Sequence, residues 1–187
     1  MTNGGRRGAG LLRSMVNRDP GQDHRTASPL ELFFDLCFVV AIAQAASGLH
    51  HTLDEGHLAE GTAGFVMVFF AIWWAWVNFT WFASSYDNDD PLYRVAVFVQ
   101  VAGVLVLAAG TPRAFASDDY AVVVLGYVIM RLSLVSLWLR AARDDPPHRR
   151  TALRYAGGIT LLQLCWIAML AVPASWTVPA FAMLAVA

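Results

Sequence analysis

Two ionisable residues, Asp35 and Arg131, stand inside long apolar stretches of the sequence. A carboxylate can carry a proton, and a guanidinium can hold a carboxylate or another anion through paired hydrogen bonds. Charges inside a bilayer cost free energy, so they usually face the interior of a helix bundle and mark a pathway or a structural pair. The two residues therefore indicate either a solute or proton site, or a salt bridge that only fixes helix packing.

Polar amides occupy similar positions in the other apolar stretches, at Asn78, Gln100 and Gln163. With a helical rise of about 1.5 Å per residue, these amides and both charges lie roughly 9 to 15 Å from one predicted membrane face. We therefore predict a polar layer in the cytoplasmic half of the protein. Asp35 is its titratable group, and Arg131 is the partner of Asp35 or an anion ligand.

Glu31 has a structural and a functional interpretation. Ser28, Pro29 and Glu31 fit a capping box with proline in the first helical position, which accounts for Glu31 without a function. Glu31 also stands four residues before Asp35, so the two carboxylates share a helix face and could form a proton relay.

Asp90 has two structural roles in the sequence. It precedes Pro91, which predicts a helix N-cap, and it stands four residues before Arg94, so the two can pair on one helix face.

Two tryptophans flank one of the amides. Trp74, Asn78 and Trp81 follow one another at spacings of four and three, which places them on one face of a helix. The indoles could line a cavity for a cationic or ring-bearing solute, although core packing is the commoner role of such residues.

Other patterns exclude several kinds of site. Cys37 and Cys165 are isolated in apolar stretches, the histidines of segment 50–57 fit no zinc spacing, and acidic segment 86–91 lacks the glycine and glutamate of a calcium loop. We expect no metal and no cofactor. No catalytic motif and no basic patch with interleaved aromatic residues occurs, which argues against an enzyme and against nucleic acid as a partner.

The elements that position these residues are predicted to be membrane spans. The chain is 57% hydrophobic and only 14% charged, with a mean hydropathy of +0.50, whereas soluble domains carry roughly 25% charged residues. A span needs about 20 mostly apolar residues. We predict an all-α transmembrane bundle with five complete spans and a sixth that is cut short by the end of the sequence, at about residues 29–49, 62–84, 92–110, 120–139, 153–172 and, in part, 176–187.

The thirteen basic residues, all arginines, predict the orientation. Arginine is enriched on the cytoplasmic side of membrane proteins. A cytoplasmic N-terminus places eleven arginines inside, only Arg113 outside and Arg131 within the bilayer. Segment 1–28 holds five of them and is expected to be a disordered cytoplasmic tail, followed by a transmembrane domain over 29–187 in the inner or plasma membrane.

The segment from Ser28 to Gln44, SPLELFFDLCFVVAIAQ, resembles the opening signature of the low temperature requirement A (LtrA) family of bacterial membrane proteins. The resemblance covers roughly residues 28 to 172. It implies a polytopic membrane protein that continues beyond residue 187, and it implies no substrate, cofactor or catalytic residue. Further segments that resemble the family in the same order are Trp73–Trp81, Tyr86–Asp90 with Arg94, Gly126–Arg131 and Trp138–Arg140.

Three functions stay open from the sequence. The preferred one is a permease-like protein that handles a small solute or a proton through the layer around Asp35 and Arg131. The second is an integral membrane enzyme acting on a lipid-linked substrate, with Glu31, Asp35 and Asp87 near the head groups. The third is a non-catalytic membrane scaffold or stress protein in which Asp35 and Arg131 hold helices together.

Overall fold

The structure is a computed structural model that describes residues 14–15, 28–86, 88–169, 171 and 179. The described part is helical, as predicted. Its five α-helices are connected by short segments, and a single 3-10 turn, Pro146–His148, joins the last two. The helices are α1 (Pro29–Asp54), α2 (Leu58–Ser85), α3 (Pro91–Ser117), α4 (Ala121–Asp144) and α5 (Arg149–Met169).

Local sequence explains where α1 and α3 begin. At α1, the Ser28 hydroxyl accepts from the Glu31 N–H and the Glu31 carboxylate accepts from the Ser28 N–H, both at 3.2 Å. The predicted capping box is thereby confirmed. At α3, the Asp90 carboxylate accepts from the Tyr93 N–H at 2.8 Å, so Asp90 is the N-cap, also as predicted. A proline follows each cap, where its missing N–H costs nothing.

Four helices, α1 to α4, are long and apolar enough to cross a membrane. Many large apolar side chains on their outer surfaces are exposed, including Leu36 at 62% and Leu132 at 62%. Exposed apolar surface of this extent is unfavourable in water and favourable in lipid. These helices define an integral membrane protein.

The fifth helix differs from the other four. It begins with Arg149 and Arg150 and carries Arg154 one turn later, so it is less apolar than the four candidate spans. The described residues thus contain four such spans instead of the five predicted. The predicted partial span at 176–187 lies outside the described residues, apart from residue 179.

Helix α3 packs between α1 and α4, while α2 lies beside α1 and also reaches α4. Helix α5 packs on α4. Among the described helices, α1 does not approach α4 or α5, and α2 does not approach α5 closely. The space between α2 and α5 is therefore walled on one side by α4 and contains the site described below.

Glycines allow α3 and α4 to pack closely. A Cβ atom on Gly126 would lie 2.5 Å from the Leu107 nitrogen and 2.6 Å from the Gly103 oxygen. Only residues without a side chain permit such an approach between helix backbones, and membrane helices use it because dispersion contacts drive their association. The Ser133 hydroxyl adds an interhelical hydrogen bond of 2.8 Å to the Ala96 carbonyl. Helix α4 is thus held firmly against α3.

Candidate functional site

A cavity of about 550 Å³ lies between α2, α4 and α5. Sites for small molecules usually have volumes of about 300–1,000 Å³, so this cavity has room for an organic solute. The described residues of its wall include two arginines, two amides, aromatic rings and aliphatic side chains, and none of them is acidic. The lining residues are Phe70, Trp74, Asn78, Tyr127, Arg131, Thr151, Arg154, Tyr155, Gly158, Ile159, Leu162, Gln163 and Trp166.

Arg131 supplies a buried positive charge to this cavity. Its side chain is only 4% exposed, and its guanidinium donates a 2.5 Å hydrogen bond to the Tyr127 hydroxyl one turn earlier. The guanidinium carbon also lies 4.5 Å from the centre of the Tyr127 ring, a cation–π contact. Within the part of the chain that the structure describes, Arg131 forms no ion pair. Its charge is partly solvated by Tyr127 but is not neutralised.

Gln163 also lines this cavity, and its side-chain amide is buried. The residue is 5% exposed, and neither its amide nitrogen nor its amide oxygen has a hydrogen-bond partner among the described residues. A buried polar group without a partner costs about 1–3 kcal/mol. An occupant of the cavity that offers a hydrogen-bonding group to Gln163 would recover that free energy.

Asn78 and Trp74, which the sequence predicted to share one face of a helix, both line the cavity from α2. The Asn78 amide nitrogen donates 2.7 Å to the Trp74 carbonyl in its own helix. The Trp74 ring stacks on Phe70 with centroids 5.8 Å apart, and across the cavity Tyr127 contacts Trp166 at 5.7 Å. These flat apolar surfaces bound the polar groups on two sides.

A smaller cavity of about 280 Å³ adjoins the first one at its arginine-rich end. Thr151 and Tyr155 line both cavities, and the Tyr155 ring stacks on Trp138 with centroids 4.6 Å apart. The predicted Trp81 lines this second space and is 54% exposed. The two cavities are thus neighbours that share the wall formed by Thr151 and Tyr155.

Tyr86 also lines the smaller cavity, between α2 and α3. Burial raises the pKa of its phenol above the ordinary value, and the nearby negative charge of Asp145 raises this pKa further. Tyr86 therefore stays neutral near pH 7, so it adds a hydroxyl group and no negative charge to the wall of this cavity.

Asp35 lies away from the cavity. Its carboxylate accepts a 2.7 Å hydrogen bond from the Trp76 indole, which joins α1 to α2. The structure does not bring Asp35 to Arg131, because α1 and α4 are not neighbours. Gln100 is buried on α3 with its amide nitrogen unpartnered among the described residues, and it does not line the cavity. Glu31 is engaged at the α1 cap.

The predicted layer is thus divided by the fold. Arg131, Asn78, Gln163 and Trp74 meet in one cavity, whereas the side chains from α1 and α3 point elsewhere. Equal depth in a membrane does not require equal direction, since each helix places successive residues about 100° apart around its axis.

An ion pair at the end of the bundle was not predicted from the sequence. The Arg140 guanidinium binds both carboxylate oxygens of Asp90, through its two terminal nitrogens, and Asp144 lies 3.7 Å from its Nε. The Met15 N–H donates to the same Asp144 carboxylate at 3.2 Å. Arg94, which the sequence suggested as a partner of Asp90, pairs with Asp89. The 50 residues between Asp90 and Arg140 leave no local signal for their pairing.

The histidines of the first connection pair with neighbouring acids. His50 lies 3.0 Å from Asp54, and His57 lies 3.2 Å from Glu60. In the described part of the chain, no group of three histidine, cysteine or acidic side chains is arranged to hold a metal ion.

The fold and the cavity define a polytopic helical membrane protein with an internal polar site. The sequence model of the bacterial low temperature requirement A protein (LtrA) matches residues 26–187. The chain therefore belongs to the LtrA family, as the resemblance had indicated.

A curated relative carries no assigned function that could be compared. An uncharacterized protein of Rhizobium meliloti (strain 1021) is 32% identical over 151 residues, which are 80% of this chain and 36% of that protein. The chain thus spans about a third of the length of this relative. No solved structure matches the chain.

Proposed function

We propose that this LtrA-family protein is a permease-like protein of the bacterial inner membrane that binds a small solute between α2, α4 and α5. The observation that carries the proposal is the meeting of Arg131 and Gln163 in one cavity of about 550 Å³. Both residues are at least nine-tenths buried. Among the described residues, the Gln163 amide has no hydrogen-bond partner, and Arg131 has the Tyr127 hydroxyl but no ion-pair partner. Polar groups kept at this cost inside a membrane bundle usually serve a pathway.

The proposed topology supports a cytoplasmic route. The N-terminus lies inside, and α5 forms a fifth span that starts at the cytoplasmic arginines. The smaller cavity then opens at the cytoplasmic end, because it is lined by the end of α2 and the start of α5. A solute would pass Tyr155 between this opening and Arg131.

The test is a flux assay with the full-length protein in proteoliposomes. The panel contains carboxylates, inorganic phosphate, amino acids, sugars, choline and protons. Gly158→Phe is the blocking variant, because Gly158 lines the cavity and a Cβ atom there would meet nothing within 4 Å. Gly157→Phe is the matched control: its Cβ also meets nothing, and Gly157 does not line the cavity.

We expect a solute whose flux falls about tenfold or more in Gly158→Phe and stays near wild type in Gly157→Phe, since a blocked site loses its binding free energy. If no member of the panel crosses with wild-type protein, the permease function is wrong. Equal flux through both glycine variants would place the pathway elsewhere.

A further inference from the structure

We infer that the solute is an organic anion with a single carboxylate and a flat apolar body; this inference rests on the proposed function. The carboxylate binds Arg131 and the Gln163 amide, and the body lies between the aromatic walls. Charge, size and wall chemistry each support this assignment.

The charge of the cavity requires an anion. Arg131 is buried without an ion pair among the described residues, and Arg154 adds a second guanidinium at the more exposed end. A buried cation is stabilised when it is paired and hydrogen-bonded. None of the described lining residues is acidic, so an anionic solute would supply the neutralising group.

The donors favour a carboxylate. A guanidinium binds a carboxylate through two parallel hydrogen bonds. The Gln163 amide nitrogen is a further donor with no acceptor among the described residues. One charge on the solute matches Arg131, which is the buried one of the two lining arginines.

The walls and the volume favour a body larger than the carboxylate itself. The stacked pair of Phe70 and Trp74 and the contacting pair of Tyr127 and Trp166 both line the cavity, and Ile159 and Leu162 add aliphatic surface. Acetate or inorganic phosphate would leave most of the 550 Å³ unfilled, whereas an aromatic ring gains contacts with these flat surfaces.

The experiment measures binding to the full-length protein in neutral detergent by titration calorimetry. Three probes share one ring and differ in charge: phenylacetate, phenylacetamide and phenethylamine. Acetate serves as the control for size. The variants are Arg131→Gln, Arg131→Lys and Gln163→Leu, with Arg113→Gln as the control because Arg113 is exposed and does not line the cavity.

We expect phenylacetate to bind about tenfold or more tightly than the amide, the amine and acetate, since charge-assisted bonds to arginine are the strong ones. Arg131→Gln should abolish this preference, while Arg131→Lys should retain part of it, because lysine keeps the charge without the paired geometry. Gln163→Leu should weaken phenylacetate binding about fivefold or more through the lost donor. Arg113→Gln should bind as wild type does.

Equal or tighter binding of the amide or the amine would overturn the inference, as would an unchanged preference in Arg131→Gln. Binding of anionic phosphatidylglycerol from mixed micelles, with no heat of binding from phenylacetate, would show that a lipid head group occupies the site. That result would also overturn the inference. The proposed function can fail or hold independently of this inference. If Gly158→Phe blocks the flux of a neutral or cationic solute, the permease function holds and the inference about the anion is wrong. If no solute crosses the membrane, both are wrong.

Discussion

At the scale of single residues, Arg131 and Arg140 of α4 differ in the groups that surround their positive charges. Arg140 binds Asp90, whose side chain is 3% exposed, while Arg131 has only the Tyr127 hydroxyl and ring. Removing one member of a buried ion pair leaves the other charge uncompensated, whereas removing a charge without such a partner leaves nothing behind.

Arg140→Gln should therefore destabilise the protein much more than Arg131→Gln. We expect a loss of about 3–5 kcal/mol at Arg140, typical of a broken buried pair, and a small change or a gain at Arg131. Thermal unfolding in detergent without added solute measures both. Asp90→Asn combined with Arg140→Gln should recover part of the loss, because asparagine still caps α3. Equal destabilisation by both single variants would contradict this assignment.

Asp35 yields a second prediction at this scale. Its described partner is the Trp76 indole, which needs an acceptor and not a charge. Asp35→Asn keeps a side-chain oxygen for that bond, so the flux of the solute should stay within about twofold of wild type, and Asp35→Leu should lower stability by about 1–3 kcal/mol through the unpaired indole. A large loss of proton-coupled flux in folded Asp35→Asn would instead support the relay from Glu31.

At the scale of the elements, the contact between α3 and α4 depends on the absence of side chains. A methyl group on Gly126 would press on the backbone of α3, at the Leu107 nitrogen and the Gly103 oxygen. Neither of these atoms can move without displacing the helix. The approach of the two helices, and with it the position of Arg131, is therefore sensitive to a single methyl group.

Gly126→Ala should lower the thermal unfolding temperature, with a cost of about 1–3 kcal/mol for the forced overlap. Gly157→Ala is the control, because its new methyl group meets nothing within 4 Å. Alanine favours helix over glycine by up to about 1 kcal/mol, so the control should be neutral or more stable. An unchanged unfolding temperature in Gly126→Ala would mean that the helices are less closely packed than described.

At the scale of the whole molecule, the connections between helices group at two ends. Phe115, near the end of α3, packs against Gly48 of α1 and Gly64 of α2. At the opposite end, Asp90 binds Arg140, and Ser85 and His148 both line the smaller cavity. The first and third connections therefore lie on one side of the membrane, and the second and fourth lie on the other.

Single cysteines test which side is which. In a background with Cys37 and Cys165 replaced by alanine, Glu55→Cys and Asp119→Cys should react with an impermeant maleimide in intact spheroplasts. Arg149→Cys should react only after permeabilisation, because arginine-rich connections stay in the cytoplasm. Labelling of Arg149→Cys in intact spheroplasts would reverse the proposed orientation.

The sequence predicted the elements well because their signals are local. Ser28 with Glu31 and Asp90 before Pro91 marked two helix starts, and the apolar stretches marked the four candidate spans. The sequence also suggested four of the residues that line the cavity. Trp74 and Asn78 share a helix face at fixed spacing, and Arg131 and Gln163 belong to the predicted layer.

The rest of the site depends on which helices are neighbours. The sequence gives the depth of Asp35 and Arg131 but not the order of helices around the bundle, and α1 proves to be separated from α4. The Asp90–Arg140 pair was not predicted for the same reason, because the sequence does not show that the start of α3 lies beside the end of α4. The role of Gln163 follows from its place beside Arg131, which the position of one amide in an apolar stretch does not reveal.

The adjacent glycines of α5 have a mechanical consequence. Gly157 and Gly158 lie near the middle of a helix that packs on α4, and the space around both is open. Helix bends concentrate at such pairs, where no side chain supports the backbone. Bending α5 there would separate its two halves without breaking packed contacts of either glycine, whereas α4 is held by its close approach to α3. A bend at this glycine pair would make α5 the hinged side of the cavity.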